Sequence, residues 1–413
     1  MTDAYDDEDG NRPRTLTNGQ VIRFMAGHWM AEPKRFALIA ALMLASTACD
    51  LSIPWATRAL IDAVATPTSP TDTAWIAWAS LSALYLAFYC LRSFMFRMSN
   101  GYYSRIMARM VTQAFARVQA FSADWHASNF AGATVRRVSR AMWGYDSASD
   151  ALLWMLTPTL IVLSGLAISI GLKWPAAGVF VAVLVVAFAI FNVLVSTHFI
   201  RPANLASTAL DSQLGANLAD AIGGNPVVKG FGAEAREEKR FSDHVAIWRT
   251  AQNKTWDRFN TVGWGQNFFL VILQAGLTGQ LVHAWSRGEA TPGDVAFGIT
   301  SFIVMAGYMR NFSEITRMLQ KGLDDMVDVA AYMRTPPQLA DRPDAAPFRG
   351  ELGEVVFDRV TFGYENAARP LYRDFTLVVA PGERVALVGP TGRASRPSSS
   401  CCRGSTTCRA AAS

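Results

Sequence analysis

Charge is what this sequence has least of. Only 17% of its 413 residues are Asp, Glu, Lys or Arg, 51% are hydrophobic, and mean hydropathy is +0.17. A soluble globular chain carries about 25% charged residues, so the balance is that of a membrane protein. Cysteine is scarce too, at five residues. Cys49 and Cys90 sit in apolar runs, where a thiol acts as a small hydrophobe. Cys401, Cys402 and Cys408 crowd into one short stretch with no His beside them. Five Cys in these places do not make a disulfide framework, and the lack of a nearby His argues against a metal site at the CC…C cluster. The opening MTDAYDDEDGNRPRTLTNGQ has no apolar run behind a basic start. Residues 1–20 are therefore expected to be a disordered cytoplasmic tail rather than a cleavable leader.

Long apolar runs are what the sequence has instead. A helix needs about 20 apolar residues to cross the hydrocarbon core. Six runs qualify: 35–61, 74–94, 151–172, 174–196, 262–285 and 294–309. The connection DAVATPTSPTDT between the first two has no Lys or Arg. Lys173 stands alone between the third and fourth, and Arg287 between the fifth and sixth. The two long connections differ. Residues 92–150 carry eight Arg, and residues 201–258 carry eight Lys or Arg. Basic residues favour the cytoplasmic side. A multi-pass protein of the cytoplasmic (inner) membrane is expected, with both termini and both long connections in the cytoplasm. The net charge of +5 is thereby explained without nucleic acid.

Both long connections keep a helical period. YYSRIMARMVTQAFARVQAF and EAREEKRFSDHVAIWRTAQNKTWDRF place apolar residues at three- and four-residue intervals between charges. The membrane helices therefore continue into the cytoplasm and turn near HASNFAGATV and ANLADAIGGNPVV, where Gly, Asn and Pro intervene. NGQVIRFMAGHWMAEPK reads as an amphipathic helix at the membrane surface. After the sixth run, RTPPQLADRPDAAPFRG reads as an exposed linker. Then the period becomes that of strands: EVVFDRVTFGY alternates, FTLVVA is apolar, PGE is a turn, and RVALVG suits a buried strand.

In order and spacing these features resemble a half-transporter of the ABC exporter family. GGNPVVKGFGAEAREEKRF (223–241) is similar to the stretch after that family's second coupling helix. TPGDVAFGITSFIVMAG (291–307) is similar to its sixth-span entry, and residues 353–392 resemble the start of its nucleotide-binding domain. The resemblance covers about residues 20–392. It implies an all-α polytopic membrane domain of six transmembrane helices with long cytoplasmic extensions, followed by an incomplete α/β nucleotide-binding domain fragment. The expected divisions are a tail (1–20), membrane domain (21–335), linker (336–349), start of a nucleotide domain (350–392) and an aberrant tail (393–413). The resemblance also implies ATP and Mg²⁺ as cofactors, and as partners the lipid bilayer and a second half-transporter, identical or different. An importer permease is disfavoured, because a nucleotide domain starts in the same chain.

Carried over by position, Tyr364 falls where the family stacks an aromatic on adenine. Gly389, Pro390, Thr391 and Gly392 match the first half of the Walker A loop, whose backbone N–H groups cradle phosphates. Residues near 127–137 and 215–224 would be coupling helices. The loop then fails. The motif is G-x-x-x-x-G-K-[ST], and from Gly389 the chain reads G-P-T-G-R-A-S-R. Ala394 stands at the second Gly, Ser395 at the Lys and Arg396 at the Ser/Thr, so the phosphate-reaching ammonium and the Mg²⁺-holding hydroxyl are missing. No signature loop, Walker B carboxylate or switch His follows, so no catalytic residue is assigned and no ATP hydrolysis is expected. An allowed back-translation of residues 393–413, read from its third base, gives GKSSVVKLLPRLYDVPRGRI. One restored base after Gly392 completes GPTGAGKSS. A one-base deletion near codon 393 is the expected origin of the tail, whether a genuine lesion or a sequencing error. The alternative function is a truncated, non-catalytic subunit that only dimerises with a full-length half-transporter.

Polar residues inside the spans are candidates for a substrate pathway, because they are costly there. Asp50 lies in the middle of the first span, four residues before Pro54. Either it faces a substrate, or it meets water or a polar neighbour. Gln266, Asn267, Gln274, Gln280 and His283 mark a polar side of the fifth span; interhelical hydrogen bonds compete with substrate contact as their reason.

Overall fold

The computed structural model describes residues 16–66, 70–122, 125–126, 131–336, 353–362, 372–386 and 409–410. Short helix α1 (Asn18–Trp29) precedes the membrane helices. Six helical stretches are long and apolar enough to span a membrane among the described residues. They are α2 (Pro33–Ala65), α3 (Thr71–Gln119), α4 with α5 (Ala131–Ser149 and Thr157–Lys173), α6 with α7 (Pro175–Val195 and Arg201–Gly223), α9 (Glu234–Ser286), and α10 with α11 (Pro292–Arg310 and Phe312–Arg334). Every predicted span lies within one of them, except that the fourth begins one residue later than predicted, at Pro175 rather than Trp174. At 1.5 Å per residue, the 53 residues of α9 reach roughly 80 Å. A hydrocarbon core takes up roughly 30 Å of that. The helices therefore continue well beyond the membrane, as their periodicity predicts.

Local chemistry sets the breaks. Pro175 opens α6 after Trp174. Between α7 and the short α8 (Asn225–Gly230), Gly224 breaks the ladder and Pro226 restarts it. Two π-helical turns, Asp150–Leu156 and Ser196–Ile200, join α4 to α5 and α6 to α7. The second expected turn thus falls at Gly224. The first, near HASNFAGATV, lies partly outside the described residues, and α4 begins at Ala131.

The chain forms two compact units. The first takes Ile22–Arg105 and Gly144–Asp324. Its core joins α5, α6, α9 and α10 through Leu166, Ile170, Val181, Phe188, Leu273, Leu277, Phe297 and Met305. On α9, Leu270, Leu273, Leu277 and Leu281 recur on one face and are buried, while Phe268, Val271 and Val282 face outward. The α5–α6 hairpin closes tightly: a Cβ on Gly178 would lie 2.2 Å from Gly171 Cα. Beyond the apolar core, Ser207 Oγ donates to Gln252 at 2.6 Å and Thr255 Oγ1 to the Ala203 carbonyl at 3.1 Å, pairing α7 with α9.

The second unit includes Ile106–Trp143 and the described residues from Asp325 on. Arg137 Nη1 donates to the Tyr332 hydroxyl at 3.2 Å, and its Nε lies 3.4 Å from Asp328. Strands β1 (Val355–Phe362) and β2 (Tyr372–Val379) pair antiparallel, with Phe357 opposite Leu377, and the two-residue strand β3 (Arg409–Ala410) lies along the other edge of β1. The PGE turn forms: Gly382 takes φ +74°, and Glu383 N–H bonds the Ala380 carbonyl at 3.0 Å. The run RVALVG is not a buried strand over its described part. Arg384–Ala386 have no strand assignment, and Val385 is 45% exposed. A central strand needs a neighbour on each edge, and the described residues offer it none.

Candidate functional site

Asp50 belongs to the buried side of α2. Pro54 has no N–H, so it cannot donate to the Asp50 carbonyl one turn back, and the helix is weakened there. The carboxylate has a partner: the Tyr308 hydroxyl on α10 donates to Asp50 Oδ2 at 2.6 Å. Arg92 on α3 lies within electrostatic range of both groups, and its guanidinium sits 5.5 Å from the Phe88 ring. The Asp50 carboxylate and the Tyr308 phenol thus join the first and sixth spans, with the Arg92 guanidinium of the second in electrostatic range.

A second polar group forms around Gln266. Its Nε2 donates to Ser313 Oγ at 2.6 Å and also to Asn192 Oδ1; Ser313 Oγ donates to Asn192 Oδ1 at 3.2 Å. Asn192 is buried and spends its own Nδ2 on the Phe188 carbonyl at 2.8 Å. Helices α6, α9 and α11 are therefore tied by side-chain amides. The other residues marked on the fifth span separate. Gln280 is half-buried and donates to the Gly276 carbonyl at 3.2 Å, whereas Asn267, Gln274 and His283 are exposed on the single chain.

Sequence reasoning missed Tyr308, Arg92, Asn192 and Ser313, because which faces of two helices meet is not written in either helix. It also missed a charged cluster at the hairpin ends. Asp294 is fully buried. It closes a capping box with Thr291, accepting from Thr291 N–H at 2.9 Å while Thr291 Oγ1 accepts from Asp294 N–H at 3.2 Å. Its Oδ1 also receives Arg58 Nε and Lys173 Nζ, each at 2.7 Å. Asp62 Oδ1 accepts the Gly293 N–H at 2.9 Å, and a Cβ on Gly293 would lie 2.4 Å from that carboxylate. The signal for a cap was present in T-P-G-D, a [ST]-x-x-[DE] pattern.

Tyr364, Gly389, Pro390, Thr391 and Gly392 lie outside the described residues. Ala394, Ser395 and Arg396, at the motif's next conserved positions, supply neither the ammonium nor the correctly placed hydroxyl of a complete phosphate site.

The chain spans 65% of the length of an ATM1-type heavy metal exporter from Novosphingobium aromaticivorans, to which it is 27% identical over 399 residues, 92% of its own length. It is 26% identical over 70% of its length to a mitochondrial iron-sulfur clusters transporter, atm1, of Neurospora crassa, covering 40% of that protein. It is 25% identical over 70% of its length to an ATP-dependent lipid A-core flippase of Dechloromonas aromatica, covering 49% of it. Its fold is similar to the solved structure of a bacterial Atm1-family ABC exporter with ATP bound, with TM-score 0.74 and 23% identity, over 91% of this chain and 66% of that one. Residues 36–309 match the family model of the ABC transporter transmembrane region. The chain belongs to that family.

Proposed function

We propose that this chain is the membrane half of an ATP-driven exporter, with its helical extensions and both ends of the membrane domain in the cytoplasm. One observation carries the reading. A matched ABC transporter transmembrane region is followed in the same chain by a strand pair and the G-P-T-G of a phosphate loop. The charge asymmetry supports the orientation: eight basic residues in each long connection, against none or one in the short ones. The apolar window of α3 is only 6% buried, so this helix needs lipid or a second half-transporter against it.

The cargo we propose is amphipathic. Apolar faces line most of the spans, while Asp50 and Gln266, with the exposed Asn267 and Gln274, offer polar contacts. The relatives' names speak of heavy metal, iron-sulfur clusters and lipid A-core. The test is uptake of the amphipathic dye Hoechst 33342 into inside-out vesicles. The chain is made together with an intact half-transporter and, in a second arm, that partner is made alone. Vanadate-sensitive uptake that requires this chain is expected; equal uptake in both arms refutes a transport role.

The interrupted loop favours a second reading: a subunit that pairs with an intact half-transporter and adds no ATP site. We further propose that residues 393–413 are read from a shifted frame. The support is that an allowed back-translation of these residues, read one frame over, completes a Walker A motif followed by an amphipathic run. Co-purification with an intact half-transporter, without added ATPase activity, is the expected result for the second reading.

A further inference from the structure

The hairpin-end cluster has the parts of a gate. Arg58 on α2 and Lys173 on α5 converge on one oxygen of a carboxylate that is itself 1% exposed. Both cations also lie against indoles: Arg58 is 5.4 Å from the Trp55 ring and Lys173 Nζ is 4.5 Å from the Trp174 ring. The two indoles meet a single ring, Phe297, at 4.7 and 6.2 Å between centroids. Phe297 is fully buried and lies one turn along α10 from Asp294. One turn further on the same face is Ser301, also fully buried. Its hydroxyl has no hydrogen-bond partner among the described residues.

We propose that Asp294, with Arg58 and Lys173, is the latch of an outer gate; Phe297 is the plug it holds, and Ser301 is the first polar group behind the plug. The side on which this gate faces rests on the orientation proposed above. A static staple would explain the ion pairs but not what lies beneath them. A buried hydroxyl without a partner is costly when dry and satisfied when wet, so the closed arrangement carries a cost that admission of water removes. The latch joins three helices through one carboxylate, which takes a cation from each of the other two. Without its charge Arg58 is left with the weaker pair to Asp62 at 3.5 Å, and Lys173 loses the carboxylate that holds it to α10. A pocket of about 350 Å³ beside the latch, lined by Lys173, Trp174, Gln280, His283 and Glu289, has the polar side chains to admit water.

Cysteine accessibility in intact cells tests this without requiring transport. The native cysteines are replaced by serine, and Ser301→Cys is labelled with a membrane-impermeant maleimide. Arg287→Cys, exposed in the α9–α10 hairpin, reports the side, and Leu273→Cys, buried on α9, reports the core. Ser301→Cys is expected to react slowly in the otherwise intact chain. Asp294→Asn keeps a capping acceptor and removes the charge; Lys173→Met removes one cation and keeps Arg58. Asp294→Asn is expected to raise the Ser301→Cys rate about tenfold or more, since the minor state of such an equilibrium starts at roughly 0.1–10%. Lys173→Met, which leaves the Arg58–Asp294 pair, is expected to raise it less, and Leu273→Cys stays protected in both. An unchanged Ser301→Cys rate in both variants overturns the latch. So does parallel labelling of Leu273→Cys, which would make Asp294 a general staple. Protection of Arg287→Cys contradicts the orientation alone, and the latch is then read with the same reagent from inside-out vesicles.

Discussion

The Tyr308 hydroxyl donates to Asp50 Oδ2 at 2.6 Å, so the carboxylate in the middle of the first span is held by the sixth. Tyr308→Phe should therefore destabilise the membrane domain by about 1–2 kcal/mol, the range for a hydrogen bond to a charged group tempered by the weaker values found in bilayers. Unfolding in mixed detergent micelles measures it. Tyr308→Phe with Asp50→Leu should cost less than the two single losses added, because their shared hydrogen bond is then lost only once. Strict additivity would mean that the pair is not coupled.

The amide group around Gln266 yields a contrast within one helix. Gln266→Leu takes a donor from both Asn192 Oδ1 and Ser313 Oγ, which then keep only each other at 3.2 Å, and should cost about 1–2 kcal/mol. The side chains of Asn267 and Gln274 are exposed and have no hydrogen bond among the described residues, so Asn267→Leu and Gln274→Leu should stay within about 0.5 kcal/mol. If those two line the proposed pathway, they should instead alter dye uptake in vesicles of the assembled transporter. Equal losses of stability at all three positions would refute the distinction.

Packing at two sites is tight enough to be read by small substitutions. Leu277→Ala opens a cavity in the α5, α6, α9 and α10 core and should cost about 2–5 kcal/mol. Gly293→Ala drives a methyl against the Asp62 carboxylate and the Arg58 carbonyl and should cost about 1–3 kcal/mol. Gly279→Ala, where a Cβ meets nothing within 4 Å, is the matched control and should be neutral or slightly stabilising.

Purified in lipid, the chain should show no vanadate-sensitive ATP hydrolysis, because Ser395 and Arg396 stand where the motif needs Lys and Ser/Thr. Measurable turnover above a mock preparation would contradict that.

The spans were legible because a run long enough to cross hydrocarbon is unlike anything a soluble fold requires. The extensions were legible because the helical period persists after the apolar composition stops. Asp50 and Gln266 stood out as polar residues in apolar surroundings. Their partners did not, since Tyr308, Asn192 and Ser313 are ordinary residues until helix rotation brings them together. Asp294 was legible as a cap but not as a hub, because Arg58 and Lys173 reach it from distant parts of the sequence. The RVALVG run was over-read: apolar composition marks a strand that could be buried, but burial depends on neighbouring strands.

The most direct measurement is a nucleotide read across codon 393. Our proposal is that the frame through Gly392 carries an exporter's membrane half and that the following frame is displaced. It predicts that the base sequence, read one frame over, continues from GPTG into GKSS with a single base to be restored. A base sequence in which no frame encodes GKSS at that place would contradict it.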